Sequence, residues 1–287
     1  MKKSINEWAF PAEMTMAEMM GLARAEGFAG FEVALGEDPD GSLRRAGRLT
    51  VEDCAAQAAS LAETARAAGV EVSAVAVGLG WQYSLTADDP AERARALEIT
   101  ELALEAAHVL GAGAILVIPG IVDATFAPRT PPVPYDVCYE RAQESLARLL
   151  PAAEKWQVAL ALEPVWNMFL LSPLEWVRFI DAAGSDWARV YFDVANVLPS
   201  GYPEQWIRLL GQRISRVHVK DFKRGVGTLD GFCHLLEGDV NFPAVMASLR
   251  EVGYDGWLTA EIMPPLAVAP DYLISVTSQA LDQILAM

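Results

Sequence analysis

Val217-His218-Val219-Lys220-Asp221-Phe222-Lys223-Arg224 reads as a short strand with an imidazole where a half-buried strand would usually carry valine. Its β-branched residues alternate with polar ones at period 2, and His218 and Lys220 share the polar face. It stops in a basic, glycine-containing loop, Lys223-Arg224-Gly225-Val226-Gly227. A lone strand histidine would pass for a hydrogen-bonded core residue. Three other strand-like segments change that reading, because each ends in a carboxylate: Leu160-Ala161-Leu162-Glu163, Val190-Tyr191-Phe192-Asp193 and Leu258-Thr259-Ala260-Glu261. Apolar strands that each finish in an acid or an imidazole are costly to bury unless those groups converge on a cation.

Outward from these segments the chain keeps a strand-then-helix rhythm. The expected strands are Ile5 to Phe10, Gly30 to Leu35, Val72 to Leu79, Ala114 to Ile118, Val158 to Glu163, Val190 to Asp193, the segment carrying His218, and Trp257 to Glu261. The expected helices are Met16 to Ala25, Val51 to Ala68, Ala91 to Leu110, Tyr139 to Lys155, Leu174 to Ala183, Glu204 to Gly211, Phe242 to Val252 and Asp271 to Leu285. Uncharged strands are covered on both faces, as parallel strands are. Eight such units in 287 residues predict an α/β fold, a single (β/α)8 TIM barrel spanning 1–287. An open doubly wound sheet would show a glycine-rich phosphate fingerprint after its first strand, and Trp8-Ala9-Phe10-Pro11 is nothing like one.

The formal net charge is −16, a field that repels nucleic acid and anionic membranes. That field does not exclude an anionic small substrate, since a local basic loop and a metal reverse the sign inside a pocket. Cys54, Cys138 and Cys233 are odd in number and fit no CxxC pattern, which points to a reducing cytoplasm rather than a disulfide framework. The longest uncharged run, Ala106 to Val122, is broken by Gly111, Gly113, Pro119 and Gly120 and falls short of a membrane span.

In a barrel, residues at the C-terminal strand ends share one mouth. Glu163, Asp193, His218 and Glu261 fall there on four consecutive strands. Three carboxylates and an imidazole make a hard, oxygen-rich site for one divalent metal ion, with Mn2+ foremost and Mg2+, Co2+ or Zn2+ as further choices.

The segments Leu162-Glu163-Pro164-Val165-Trp166-Asn167, Tyr191-Phe192-Asp193-Val194-Ala195-Asn196, Val217-His218-Val219-Lys220-Asp221-Phe222, Leu236-Glu237-Gly238-Asp239-Val240-Asn241-Phe242 and Thr259-Ala260-Glu261 resemble the xylose isomerase-like TIM barrels. Within them, the likeness is to the sugar phosphate isomerase/epimerase group, L-ribulose-5-phosphate 3-epimerase-like and hexulose-6-phosphate isomerase-like members above all. The resemblance implies a cation held by Glu163, Asp193, His218 and Glu261. It also implies that Glu163 and Glu261 double as the catalytic acid/base pair on a sugar or sugar phosphate. Removing a proton beside a sugar carbonyl builds negative charge on oxygen, which a Lewis acid stabilises as a cis-enediolate. Glu163 would take the proton from one face and Glu261 return one from the other, giving epimerisation. Return to the neighbouring carbon gives aldose–ketose isomerisation. Family habit further implies a homodimer or homotetramer.

The same resemblance gives Arg224, six positions after His218, a role on the substrate's oxygens. Asn196, Lys220, Trp8 and Trp166 complete the expected substrate-binding set. Lys223, Gly225, Gly227 and Thr228 offer a place for a phosphate or form a solvated loop. Glu237 reads as a loop-ordering residue. The Pro-rich loop around Pro128 to Pro134 and the loop from Gly225 to Asp239 are candidate lids. Free-ketose 3-epimerases carry a histidine where Asn196 stands and a glutamate near Leu170, and both are absent here. The alternatives are a keto-inositol dehydratase, a free-ketose 3-epimerase, an abasic-site endonuclease and a non-catalytic sugar-binding barrel. The endonucleases need three zinc ions and many histidines, and this chain has three histidines.

Overall fold

Runs of small and β-branched residues form eight parallel strands. These are β1 (Lys2–Asn6), β2 (Gly30–Gly36), β3 (Glu71–Ala76), β4 (Ala114–Val117), β5 (Ala159–Leu162), β6 (Ala188–Asp193), β7 (Ile214–Val219) and β8 (Trp257–Ala260). Each pairs with its neighbour in the chain. Lys2 of β1 also pairs with Trp257 of β8, and Ser4 with Gly30 of β2, so the sheet closes into a barrel. The computed structural model describes residues 1–262, 265–266 and 268–287.

Eight helices alternate with the strands: α1 (Met16–Ala25), α2 (Cys54–Ala68), α3 (Pro90–Val109), α4 (Tyr135–Trp156), α5 (Pro173–Ala182), α6 (Pro203–Leu210), α7 (Phe242–Glu251) and α8 (Pro270–Ala286). Their starts follow the local chemistry. Thr15 and Glu18 close a reciprocal capping box at α1, and proline stands in the first turn of α3, α5, α6 and α8. A short helical turn (Ser42–Arg45) and a two-residue strand (Leu49–Thr50) lie between β2 and α2. A small antiparallel hairpin, Asp221–Phe222 with Phe232–Cys233, follows β7. No described helix is long and apolar enough to cross a membrane.

The main core lies between the strands and the helices, with Phe28, Phe31, Met19, Phe179, Trp176 and Phe192 fully buried. Inside the barrel the residues are different. Ala74, Ala76, Ala114, Ala159 and Ala161 pack with Leu116, Tyr191 and the half-buried Trp8. Alanines on β3, β4 and β5 leave the interior volume that larger polar side chains from β2, β6 and β7 occupy.

The first strand departs from expectation. It runs over Lys2–Asn6, and Glu7–Ala9 forms a 3-10 turn instead of continuing it. Lys2 faces out and binds Glu71 (2.8 Å). The buried Glu7 carboxylate accepts from Ala34 N (2.8 Å) and from Arg48 Nη1 (2.6 Å), which turns the chain over the barrel mouth and carries Trp8 inward.

Candidate metal and active site

Four side chains meet at the C-terminal rim. Asp193 ends β6, His218 sits one residue before the end of β7, and Glu163 and Glu261 directly follow β5 and β8. These four strands are neighbours in the barrel, and the register sets Asp193 beside His218. All four side chains are buried. One donor atom from each lies within 4.8 Å of all the others. His218 Nδ1 is 3.2 Å from Glu261 Oε2, 3.4 Å from Glu163 Oε1 and 4.0 Å from Asp193 Oδ2.

A second layer fixes these donors. Asp193 Oδ1 accepts from Ala195 N (2.7 Å) and Asn196 N (2.8 Å), a local turn that leaves Oδ2 aimed at the cluster. Asn196 Nδ2 donates to Glu163 Oε1 (3.2 Å). On the far side of the imidazole, His218 Nε2 lies 2.9 Å from Glu32 Oε1, and Tyr191 Oη donates to Glu32 Oε2. Glu32 and Tyr191 are fully buried. A carboxylate on Nε2 fixes a proton there, so Nδ1 is the nitrogen that gives up its proton when a cation binds. Lys220 Nζ completes the site, donating to Glu261 Oε2 (2.7 Å), 3.2 Å from Asp193 Oδ2 and over the Phe232 ring (4.5 Å).

The charges are unevenly compensated. Burial pushes the Glu163 carboxyl up to about 7, with Glu261 and Asp193 adding to the rise and His218 opposing it. Burial likewise lifts Asp193 to about 6 despite Lys220. Burial acts upward on Glu261 as well, but Lys220 and His218 outweigh it and hold that carboxyl well below the ordinary range. Burial works against a charged His218, and the Glu32 carboxylate overrides it, raising the imidazole well above its usual value. Asp193 Oδ2 is buried, and the Lys220 ammonium 3.2 Å away reaches it without completing a hydrogen bond. A buried carboxylate oxygen left without a hydrogen bond is expensive. Three crowded carboxylates and one imidazole nitrogen match the donor set of a hard or borderline divalent cation. The residues therefore fit a metal ion.

Residues 20–274 match the model of the xylose isomerase-like TIM barrel family. The chain belongs to that family. It is 28% identical over 278 residues to a putative L-ribulose-5-phosphate 3-epimerase, SgbU, of Escherichia coli K12, covering 93% of this chain and 90% of that protein. It is also 28% identical over 275 residues to the L-ribulose-5-phosphate 3-epimerase UlaE of Salmonella paratyphi C, covering 93% and 88%. Among solved structures, an L-ribulose 3-epimerase superposes with a TM-score of 0.77 at 19% identity, over 99% of this chain and 94% of that one.

Around the cluster of this xylose isomerase-like barrel, the other expected residues divide. Asn196 contacts Glu163 and Asp193, and Lys220 contacts Glu261 and Asp193, as described. Trp8 stands edge-on to His218, ring centroids 6.3 Å apart. Trp166 is one layer out. Its indole N–H donates to Asn196 O (2.9 Å) and its ring packs on Phe222 and Phe232. Arg224 is exposed; its Nη2 donates to Gly201 O (2.6 Å) and its guanidinium lies over Tyr202 (4.8 Å), so its hydrogen bond goes to the rim and not to the four donors. The loop after Phe222 is tied down by Asp221, which accepts from Phe222 N, Gly238 N and Val240 N (2.8, 2.9 and 3.2 Å). Gly238 and Asp239 do this anchoring rather than the Glu237 side chain, since Asp239 Oδ2 accepts from Arg224 N (2.8 Å).

Glu32 and Tyr191 were not anticipated. Glu32 sits mid-strand in Gly30-Phe31-Glu32-Val33, and a single acid there reads as the wet face of a strand. Its signal was available: in a barrel with both faces covered, β2 has no wet face, so a mid-strand glutamate must have a buried partner.

Proposed function

We propose that this protein is a metal-dependent sugar or sugar-phosphate epimerase or isomerase, working through a cis-enediolate with Glu163 and Glu261 as the acid/base pair. The observation that carries this reading is the meeting of the Glu163, Asp193, His218 and Glu261 donor atoms within 4.8 Å of one another at the barrel rim. Its likeness to two proteins called L-ribulose-5-phosphate 3-epimerases supports the substrate class. Glu163, Asp193, His218 and Glu261 would hold the cation, Mn2+ foremost. When bound, such an ion supplies Lewis acidity that lowers the cost of negative charge on a substrate carbonyl oxygen.

The chain's own groups do the rest. Glu163 and Glu261 come from strands on either side of β6 and β7, so they approach a bound sugar from different directions. One removes the proton beside the carbonyl and the other delivers a proton to the opposite face, inverting that carbon. The roles exchange when the reaction runs backwards. Asn196 Nδ2 holds Glu163 in place, and Lys220 Nζ holds Glu261 and offers a cationic donor to substrate oxygens. Trp8 covers the His218 side of the site and excludes water.

The test is NMR of a panel of ketoses and ketose phosphates in D2O with Mg2+-exchanged enzyme. Deuterium should enter the carbon beside the carbonyl, and Glu163→Gln and Glu261→Gln should each abolish inversion of that carbon, confining any remaining exchange to the face the other glutamate serves, while the fold persists. A panel that stays fully protonated sinks the reading.

A further inference from the structure

A cavity of about 280 Å3 opens between the loop after β5 and the loop after β6. Val165, Trp166, Leu171, Val197 and Trp206 form much of its wall, and Gly227 of the loop after β7 closes one side. Among the described residues, no acidic or basic side chain lines it. Asn196 belongs to both places, since it lines the cavity and its Nδ2 binds Glu163 Oε1 (3.2 Å). Trp166 also links them, through its hydrogen bond to Asn196 O (2.9 Å). The cavity therefore begins where the candidate catalytic glutamate ends.

Its chemistry is wrong for a phosphate. A dianion needs cations or converging N–H groups, and this wall offers mainly aromatic and aliphatic carbon. The Arg224 guanidinium does not line the cavity; it lies on the rim with its face on Tyr202 and one donor used on Gly201 O. Lys220 does not line the cavity, and its ammonium lies against Glu261 and Asp193 at the four-donor cluster. The size is informative too, because an apolar cavity of about 150 Å3 already accepts benzene. Leu171 and Met168, both on its edge, remain largely exposed, which leaves apolar surface for a ligand to cover.

We propose that this cavity is a subsite for an uncharged, carbon-rich substituent on the sugar, such as the aglycone of a glycoside whose ring carries a ketone in place of the locked anomeric carbonyl, set beside the carbon that reacts. The inference rests on the epimerase/isomerase reading for the position of the sugar ring and narrows its substrate class. Trp166 and Trp206 supply apolar faces for the substituent, and Asn196 sits at the junction between sugar and substituent.

Isothermal titration of the Mg2+-loaded protein tests it. The probes are methyl and phenyl glycosides of glucose, galactose and mannose, each oxidised to a ketone at one ring carbon, with the three hexose 6-phosphates. At least one phenyl glycoside should bind tenfold or more tightly than its methyl partner. Leu171→Lys, at an exposed edge position, and Ser200→Trp, which fills the cavity, should each remove that preference and leave methyl glycoside affinity unchanged. Equal affinities within every pair, or a preference that survives both variants, overturns the proposal. So does a hexose phosphate that binds more tightly than every phenyl glycoside. Phenyl-selective binding together with a ketose panel that takes up no deuterium would keep the subsite and remove the enediolate reading. Deuterium uptake with no phenyl preference would do the reverse.

Discussion

The imidazole of His218 is held from behind. Glu32 accepts on its Nε2 side, and Tyr191 donates to the other oxygen of Glu32, so the carboxylate cannot rotate away. Glu32→Gln keeps the shape and removes the charge that makes Nδ1 a strong donor. Metal affinity should fall about 10- to 100-fold, measured by chelator competition with Mn2+. The 15N shifts of His218 should at the same time lose the single-tautomer pattern. Unchanged affinity would assign Glu32 to packing alone. This residue also marks the limit of sequence reading. Glu163, Asp193 and Glu261 are legible because each stands at the end of an apolar strand, and His218 because an imidazole takes a valine's place near the end of its own. Glu32 and Tyr191 lie within strands and were invisible until the barrel closed around them. The contacts of Arg224 with Gly201 and Tyr202 come from another loop, which no local pattern encodes.

The hairpin after β7 behaves as one element pinned by one carboxylate. Asp221 gathers three backbone N–H groups, and a Cβ built on Gly238 would stand 2.2 Å from Asp221 Oδ1 and 2.7 Å from Phe222 N. Backbone is among the atoms met, so a small side chain cannot be absorbed by a rotamer change. Gly238→Ala should destabilise the protein by about 1–3 kcal/mol, read from the urea midpoint. It should also raise protease sensitivity within Lys223–Asp239, whereas cleavage elsewhere stays as before. The sequence placed this loop and its Glu-Gly-Asp segment but credited the glutamate, because Asp221 hides inside the strand pattern. The first strand failed for a related reason. Ile5 to Phe10 is apolar enough for a strand, yet the pull of Glu7 on Ala34 N and Arg48 bends it into a turn. The helices, with proline or capping residues marking their starts, fell within a few residues of expectation.

Over the whole molecule, the buried carboxylates link acidity, ion binding and stability. Glu163 at about 7 and Asp193 at about 6 are raised above their ordinary values. The folded protein without its ion thus keeps protons that the unfolded chain has released. The stability these groups contribute is present below the unfolded values and is lost as pH rises through about 6 and about 7. Chelator-stripped protein should melt at a falling temperature from about pH 5 to about pH 8. Mn2+ affinity should climb over the same interval as protons leave its ligands, so the gap between loaded and stripped melting curves should widen. Scanning fluorimetry of both forms checks this, and curves that stay parallel would mean the carboxylates are ionised throughout.

Closure of the barrel has a consequence for synthesis. Lys2 pairs with Trp257, 255 positions further along, and Glu261 lies beyond that. A ribosome adding about 5–20 residues per second leaves the β1 edge unpaired for roughly 13–50 s. Until β8 emerges, one wall of the candidate metal site is still missing, so a nascent chain offers Glu163, Asp193 and His218 and an open seam. The four-donor set is complete only once β8 has been made, and seven-eighths of a barrel is the species a chaperone would have to shield.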